Sequence, residues 1–236
     1  MARNLSQRAR EEEQMDAADL DPAVFATILR DLGRVNRMTL AARPTLAFLR
    51  GQESAMRSLG RPVRLLDVGF GDGEMLRTIW RSMNRRGIAC ELTGIDLNPR
   101  SAPVAEAMTA PGAPIRYRTG DYRSLAGEGW DFVISSLVLH HMSDGERADF
   151  LAFMEREARL GWFVNDLHRH VLAYHGFPWL ARLLGVHRIV REDGQLSIAR
   201  AFRPDEWAAI LREAGLAGTA RVRRVFPFRL CVARSK

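Results

Sequence analysis

Residues 65–73 read Leu65-Leu66-Asp67-Val68-Gly69-Phe70-Gly71-Asp72-Gly73, an apolar run that ends in an acid and passes into three alternate glycines. The run suits a buried parallel strand, and glycine permits a tight turn with close backbone approach to a ligand. A helical pattern over Glu74–Asn84 comes next, so its first amides would face whatever the turn holds. Asp96 ends the next apolar run, in Thr93-Gly94-Ile95-Asp96-Leu97-Asn98-Pro99, where a carboxylate can accept both hydroxyls of a ribose. A dinucleotide fingerprint calls for Gly or Ala three residues after its second glycine. Counting from Gly71 puts Glu74 there, which disfavours nicotinamide and flavin.

Outward from this turn, short apolar runs alternate with helical segments from Val63 onward, the pattern of a parallel sheet built from strand–helix–strand units. Five strands are expected, at Val63–Val68, Cys90–Ile95, Ile115–Arg118, Asp131–Ser135 and Gly161–Asp166. The helices between them fall near Glu74–Asn84, Pro99–Met108 and Asp144–Arg159. After a helix over Arg203–Ala214, two β-rich runs, Ala220–Phe226 and Phe228–Ala233, read as antiparallel neighbours across Pro227. Upstream, residues 1–20 are charged and aperiodic and are expected to form a flexible arm. Residues 21–62 read as a helical cap: Asp21-Pro22 starts a helix with Val24, Phe25, Ile28, Leu29 and Leu32 on one stripe, Gly33 is expected to end it, and a second helix runs from near Pro44 to Gly60. Residues 63–236 form the main domain, with an insertion over residues 167–200 that breaks the strand–helix rhythm.

The 236 residues are 47% hydrophobic and 27% charged, the balance of a globular chain that can bury a core without disulfides. Cys90 and Cys231 match no zinc or redox spacing and fit a reducing compartment. No secretory h-region opens the sequence and no run of about 18 apolar residues could span a bilayer, so a cytoplasmic location is expected. The net charge of +7 sits mostly in residues 167–236, where 13 basic side chains face 5 acidic ones. Such a third could attract an anionic substrate, an acidic carrier or a membrane surface; a solvated basic face with no partner is the plainer reading, and nucleic acid is not required by it.

The turn resembles motif I of the class I S-adenosylmethionine-dependent methyltransferases, in which an acid at the strand end precedes three alternate glycines, as Asp67 precedes Gly69, Gly71 and Gly73. In that family the acid ending the second strand holds the ribose, matching Asp96, and an acid after the third strand faces the adenine, matching Gly120-Asp121-Tyr122. The fourth strand's acid-plus-apolar run matches Asp131-Phe132-Val133-Ile134-Ser135-Ser136. The resemblance implies a Rossmann-like α/β fold, a seven-stranded mostly parallel sheet with an antiparallel last strand, helices on both faces, an N-terminal helical cap and a lid insertion after strand 5. It implies S-adenosyl-L-methionine as cofactor, with Asp67, Gly69, Phe70, Gly71, Gly73, Asp96, Leu97, Asp121, Tyr122 and Ser136 around it.

Methyltransferases acting on exocyclic adenine or glutamine nitrogens carry a polar-Pro-Pro-aromatic run after the fourth strand, and Ser135-Ser136-Leu137-Val138 stands there instead. The next residues, Leu139-His140-His141-Met142-Ser143-Asp144-Gly145-Glu146, form a stretch similar to the segment of phenolic O-methyltransferases whose histidine deprotonates the acceptor. Under that registration His140 is the general base; His141 and His168 stand as alternatives, as does a role limited to positioning the cofactor. Metal chemistry with His140, His168 and Asp166 would need an acid-rich set that is not found, so no metal is expected. The insertion over residues 171–184 is dense in apolar and aromatic residues, and the resemblance makes it a lid in which His168, Tyr174, Phe177 and Trp179 touch the acceptor; an ordinary helix hairpin is the alternative. The sequence thus reads as an O-methyltransferase for a small hydrophobic, aromatic or polyketide-type hydroxyl, with a homodimer compatible. A C-methyltransferase of quinone-biosynthesis type, an RNA or protein methyltransferase, and a non-catalytic cofactor-binding protein are the alternatives, the RNA or protein reading weakened by the lack of an appended recognition domain.

Overall fold

The computed structural model describes residues 4–17 and 19–236. Its seven-stranded sheet has the order β3-β2-β1-β4-β5-β7-β6. The strands are β1 (Val63–Val68), β2 (Cys90–Asp96), β3 (Ile115–Thr119), β4 (Phe132–Ser136), β5 (Gly161–Leu167), β6 (Arg221–Val225) and β7 (Arg229–Ser235). β1 to β5 pair in parallel, and β7 runs antiparallel to both β5 and β6. The chain order reverses between β1 and β4, which opens a crevice at the carboxyl ends of those strands.

The helices are α1 (Pro22–Met38), α2 (Ala42–Gly51), α3 (Glu53–Arg57), α4 (Glu74–Asn84), α5 (Ser101–Ala107), α6 (Asp144–Glu157), α7 (Val171–Leu183), α8 (Arg188–Arg200) and α9 (Pro204–Glu213). Both sheet faces are covered. Leu65, Phe132 and Phe163 pack beneath α2 and α4, while Leu66, Val133 and Val164 pack against α6 and α9. α1, α7 and α8 share a separate apolar cluster of Ile28, Val35, Ala181, Val186 and Val190. The expected N-terminal cap and the insertion after β5 are therefore one helical layer over the crevice. The insertion is a hairpin of two helices.

Two expectations are corrected. Gly33 does not end the first helix, which continues to Met38, because the missing side chain lets the helix lie on the glycine turn: a Cβ there would sit 2.8 Å from Asp72 Oδ2. The described part of the expected flexible arm, residues 4–17, is packed, with Leu5 and Glu13 buried. Backbone contacts hold it, since Ala9 N–H donates to Ala199 O, Arg8 Nε to Arg200 O, and Arg200 Nη1 to Glu11 O. Arginine carries enough donors to satisfy carbonyls that no helix or strand pairs, which is why a charged, aperiodic segment can be seated so firmly.

Candidate active site

A cavity of about 920 Å³ lies between the carboxyl ends of β1, β2 and β4 and the helical layer of α1 and α8. Asp67, Gly69, Phe70, Gly71, Asp96, Leu97, Asp121, Tyr122 and Ser136 line it, so nine of the ten residues expected to bind the cofactor are brought together. Gly73 is the exception. It sits at left-handed φ (75°) where α4 begins, and a Cβ there would meet the Tyr117 ring at 2.4 Å, so it serves the packing of turn on sheet. Gly71 also has positive φ (57°), but nothing of the protein lies within 4 Å of where its Cβ would be, and that open space belongs to the cavity.

Asp67 is fully buried and neither carboxylate oxygen has a hydrogen-bond partner. Burial pushes it up to about 8, with the charge of Asp96 adding. An orphaned buried carboxyl of this kind is costly unless a cationic or donor group reaches it. Asp96 is better satisfied, its Oδ2 accepting from Gly71 N–H (3.0 Å) and its Oδ1 from Asn98 N–H (2.9 Å), and burial still raises it. Leu97 is 75% exposed beside it, an apolar side chain with nothing of the protein over it. Asp121 caps the short 3₁₀ turn over Tyr122–Leu125 and pairs with Arg123 at the rim.

At the other end of the cavity stand two adjacent histidines. Ser136 ends β4, Leu137 turns the chain at left-handed φ (64°), and His140 then points back under the sheet edge. His140 is buried, its backbone N–H donates to Asp166 Oδ2 (3.1 Å), and its Nδ1 lies 2.7 Å from Asp166 Oδ1. Burial alone would raise Asp166, but the charge and hydrogen bond of His140, with the Leu167 N–H, outweigh it and hold the carboxyl below its usual range. An ionised carboxylate only accepts, so Nδ1 carries a proton, and in the neutral imidazole Nε2 is the nitrogen with the lone pair. That Nε2 has no hydrogen-bond partner.

Glu13 Oε1 lies 3.8 Å from His140 Nε2 and 3.7 Å from His141 Nε2, and accepts from Ser197 Oγ at 2.8 Å. Burial raises Glu13, partly opposed by His141, Ser197 and Arg200. His141 Nδ1 approaches Asp16 Oδ2 at 3.3 Å. Burial would raise Asp16, but its contacts with His141 lower it overall. Glu13, His140 and His141 have donor atoms within 4.8 Å of one another and form the candidate cation-holding group among the described residues. It is not the His140, His168, Asp166 set weighed from sequence. Arg229 completes this end: it is buried, lines the cavity, donates from Nη2 to Thr39 Oγ1 (3.1 Å) and leaves Nη1 unpartnered.

The four residues expected to touch the acceptor do not line the cavity. His168 is held at the β5 end by Phe228 O and the bridge to Phe202, and burial with neighbouring His170 and arginines lowers its basicity. Phe177 packs on Gly194 of α8, where an added Cβ would meet its ring at 2.3 Å, and joins the apolar cluster shared by α1, α7 and α8. Tyr174 and Trp179 sit on the same outer helix, Trp179 72% exposed. The aromatic density of the segment belongs to α7, while Gly194 and Ser197 of α8 and Phe25, Leu29 and Leu32 of α1 face the cavity. Sequence reasoning missed Glu13, Asp166 as the His140 partner, and Arg229; only Asp166, an acid closing an apolar strand, carried a local signal.

The family described as a methyltransferase domain matches residues 65–161. No curated relative matches at the sequence level. The fold is shared with solved structures at low identity. The plantazolicin methyltransferase BpumL in complex with SAH superposes with a TM-score of 0.62 at 11% identity, covering 90% of this chain and 95% of that one. Magnesium protoporphyrin IX methyltransferase (ChlM) from Synechocystis PCC 6803 with bound SAM gives 0.55 at 13% identity, with 93% and 99% covered. A SAM-dependent methyltransferase from Aquifex aeolicus gives 0.57 at 18%, with 92% and 98% covered. The glycine turn between β1 and α4 and the acid at the end of β2 both fall within the stretch that matches the methyltransferase domain, and the chain shares the fold of these S-adenosylmethionine-dependent methyltransferases.

Proposed function

We propose that this chain is an S-adenosylmethionine-dependent methyltransferase that acts on the hydroxyl of a small hydrophobic acceptor, aromatic or polyketide-type, with His140 as general base. The observation that carries the reading is the His140 imidazole, which lines the cavity, is fixed through Nδ1 by Asp166 and leaves Nε2 without a hydrogen-bond partner. S-adenosylmethionine supplies, when bound, a methyl group made electrophilic by its sulfonium. The residues present fit it: the orphaned Asp67 carboxyl suits the ammonium of its methionine end, Asp96 the ribose hydroxyls, and exposed Leu97 with Asp121 the adenine. What the protein must add is an oriented oxygen nucleophile and a place for its proton.

His140 Nε2 takes that proton as the oxygen turns nucleophilic, and the resulting imidazolium lies between Asp166 and Glu13. Arg229 Nη1, with no protein acceptor, is free to hold a second oxygen of the acceptor, and Leu29 and Leu32 supply an apolar wall. The residues 4–17 that carry Glu13 also cover this end and keep water from the developing anion.

The test is transfer of labelled methyl from the cofactor to alkylphenols and hydroxyquinones. Methoxy products that disappear in His140→Ala, with cofactor binding retained, support the reading. Ring-methylated products would move the reaction to carbon, and products carrying N-methyl groups only would overturn it.

A further inference from the structure

α7 presents an apolar stripe to solvent. Leu172 (67% exposed), Trp179 (72%) and Leu183 (85%) fall at spacings of seven and four, on one helical face with Gly176 between them. The inward face of the same helix is spent on the cluster with α1 and α8. α7 contains no acid, and its flanks carry His175 and Arg182.

The surroundings continue the pattern. The β6–β7 turn abuts the start of α7 through the Phe228 ring, 5.0 Å from that of His170, and its Phe226 is 77% exposed. Arg223 and Arg224 are exposed on β6, and no acidic residue follows Glu213 in the sequence. From the same turn Arg229 reaches Thr39, which places exposed Met38 and Leu40 beside it, and Leu40 lines the cavity. Seven of the nine large apolar side chains exposed among the described residues thus lie on α7, the β6–β7 turn and the end of α1. An exposed tryptophan among leucines, rimmed by arginines without acids, is the composition of a segment that lies in a lipid interface, where apolar burial and attraction to anionic headgroups add.

We infer that this face docks on an anionic lipid bilayer and turns the cavity mouth at Leu40 toward it. The apolar stripe enters the acyl boundary while Arg182 and Arg224 meet the headgroups, Arg224 standing close enough to His168, beside the start of α7, to act on it electrostatically. Docking stands on the surface alone; that a lipid-borne hydroxyl would enter from the bilayer rests on the function proposed above.

The full chain is mixed with vesicles of phosphatidylglycerol and phosphatidylcholine, and with phosphatidylcholine alone, and sedimented. The expected result is co-sedimentation with the anionic vesicles, weakened by salt, with a blue shift of tryptophan emission that Trp179→Phe removes, since Trp130, Trp162 and Trp207 are fully buried and Trp80 is half-buried against the α2–α4 cluster. Leu172→Ser with Leu183→Ser should lower partitioning by at least about tenfold, as should Arg182→Glu with Arg224→Glu. Cofactor binding, measured in the same variants, should be unchanged and shows that they fold. No partitioning, partitioning indifferent to both variants, or a dimer in gel filtration that the leucine variant dissolves would overturn the proposal, the last assigning the face to a second copy of the chain. Methyl transfer to a water-soluble phenol is assayed in parallel, so loss of docking and failure of the enzymatic reading are separate results.

Discussion

His140 and Asp166, 26 positions apart in sequence, meet at 2.7 Å through Nδ1 and Oδ1, and a second contact from the His140 backbone fixes the same carboxylate. The carboxylate orients the ring and leaves Nε2 without a hydrogen-bond partner, the nitrogen proposed above as the base.

Substitution should separate the two roles. His140→Ala is expected to lower kcat by about 10²-fold or more while leaving S-adenosylmethionine affinity in calorimetry nearly unchanged. Asp166→Asn should lose a comparable factor, and a more acidic phenol should restore His140→Ala more than it improves the wild type. A chelator should leave the rate unaltered, because a cation at Glu13, His140 and His141 would consume the lone pair the base needs; a rate abolished by chelation and restored by a divalent metal would replace base catalysis with metal assistance.

Asp67 predicts a pH dependence of stability. Its carboxyl stays protonated in the fold up to about 8, against an ordinary 3.8. The contribution is fully present below that ordinary value and is lost as pH rises to about 8, because the unfolded chain releases its proton first. Asp67→Asn should therefore melt higher than the wild type at pH 8 and close to it at pH 4, with each kcal/mol recovered worth about 2–4 °C. The same variant should bind the cofactor more weakly, since an amide cannot neutralise an ammonium.

Gly33→Ala places a methyl 2.8 Å from Asp72 Oδ2 and 3.1 Å from Glu74 Oε2. Lifting α1 off the glycine turn should cost about 1–3 kcal/mol in denaturant unfolding and weaken cofactor binding together with it. Gly194→Ala, which collides with the Phe177 ring of α7, should cost stability in the same measurement.

Acceptor affinity should follow the cavity walls and not the outer helix. Leu32→Ala and Arg229→Met are expected to raise KM for a water-soluble phenol severalfold, whereas Tyr174→Ala and Trp179→Ala leave it within error. An effect of Trp179→Ala equal to that of Leu32→Ala would show that α7 reaches the acceptor after all.

The cofactor half of the site was legible because its residues act locally: Asp67, Gly71 and Asp96 lie at strand ends and turns, where backbone geometry and ligand contact are decided within a few positions. His140 was legible for the same reason, through the Ser143 capping box just after it. The end of the cavity around His140 was not, because it is assembled from afar. Glu13 reaches His140 across 127 positions, and which side of the insertion faces inward is decided by the packing of Phe177 on Gly194, a tertiary fact that aromatic content does not encode.

Arg169 gives the packed start of the chain a further consequence. Its guanidinium is wholly enclosed, donating to Leu5 O (3.0 Å), Ala201 O (2.7 Å) and Glu206 Oε1 (2.6 Å). Peeling residues 4–17 away would strip a buried cation of part of its solvation shell, a loss that a neutral surface tail would never impose. Those residues and the α8–α9 junction should therefore melt as one cooperative unit, with the Ala9 and Arg169 amides exchanging their hydrogens at a common rate set by a single opening event.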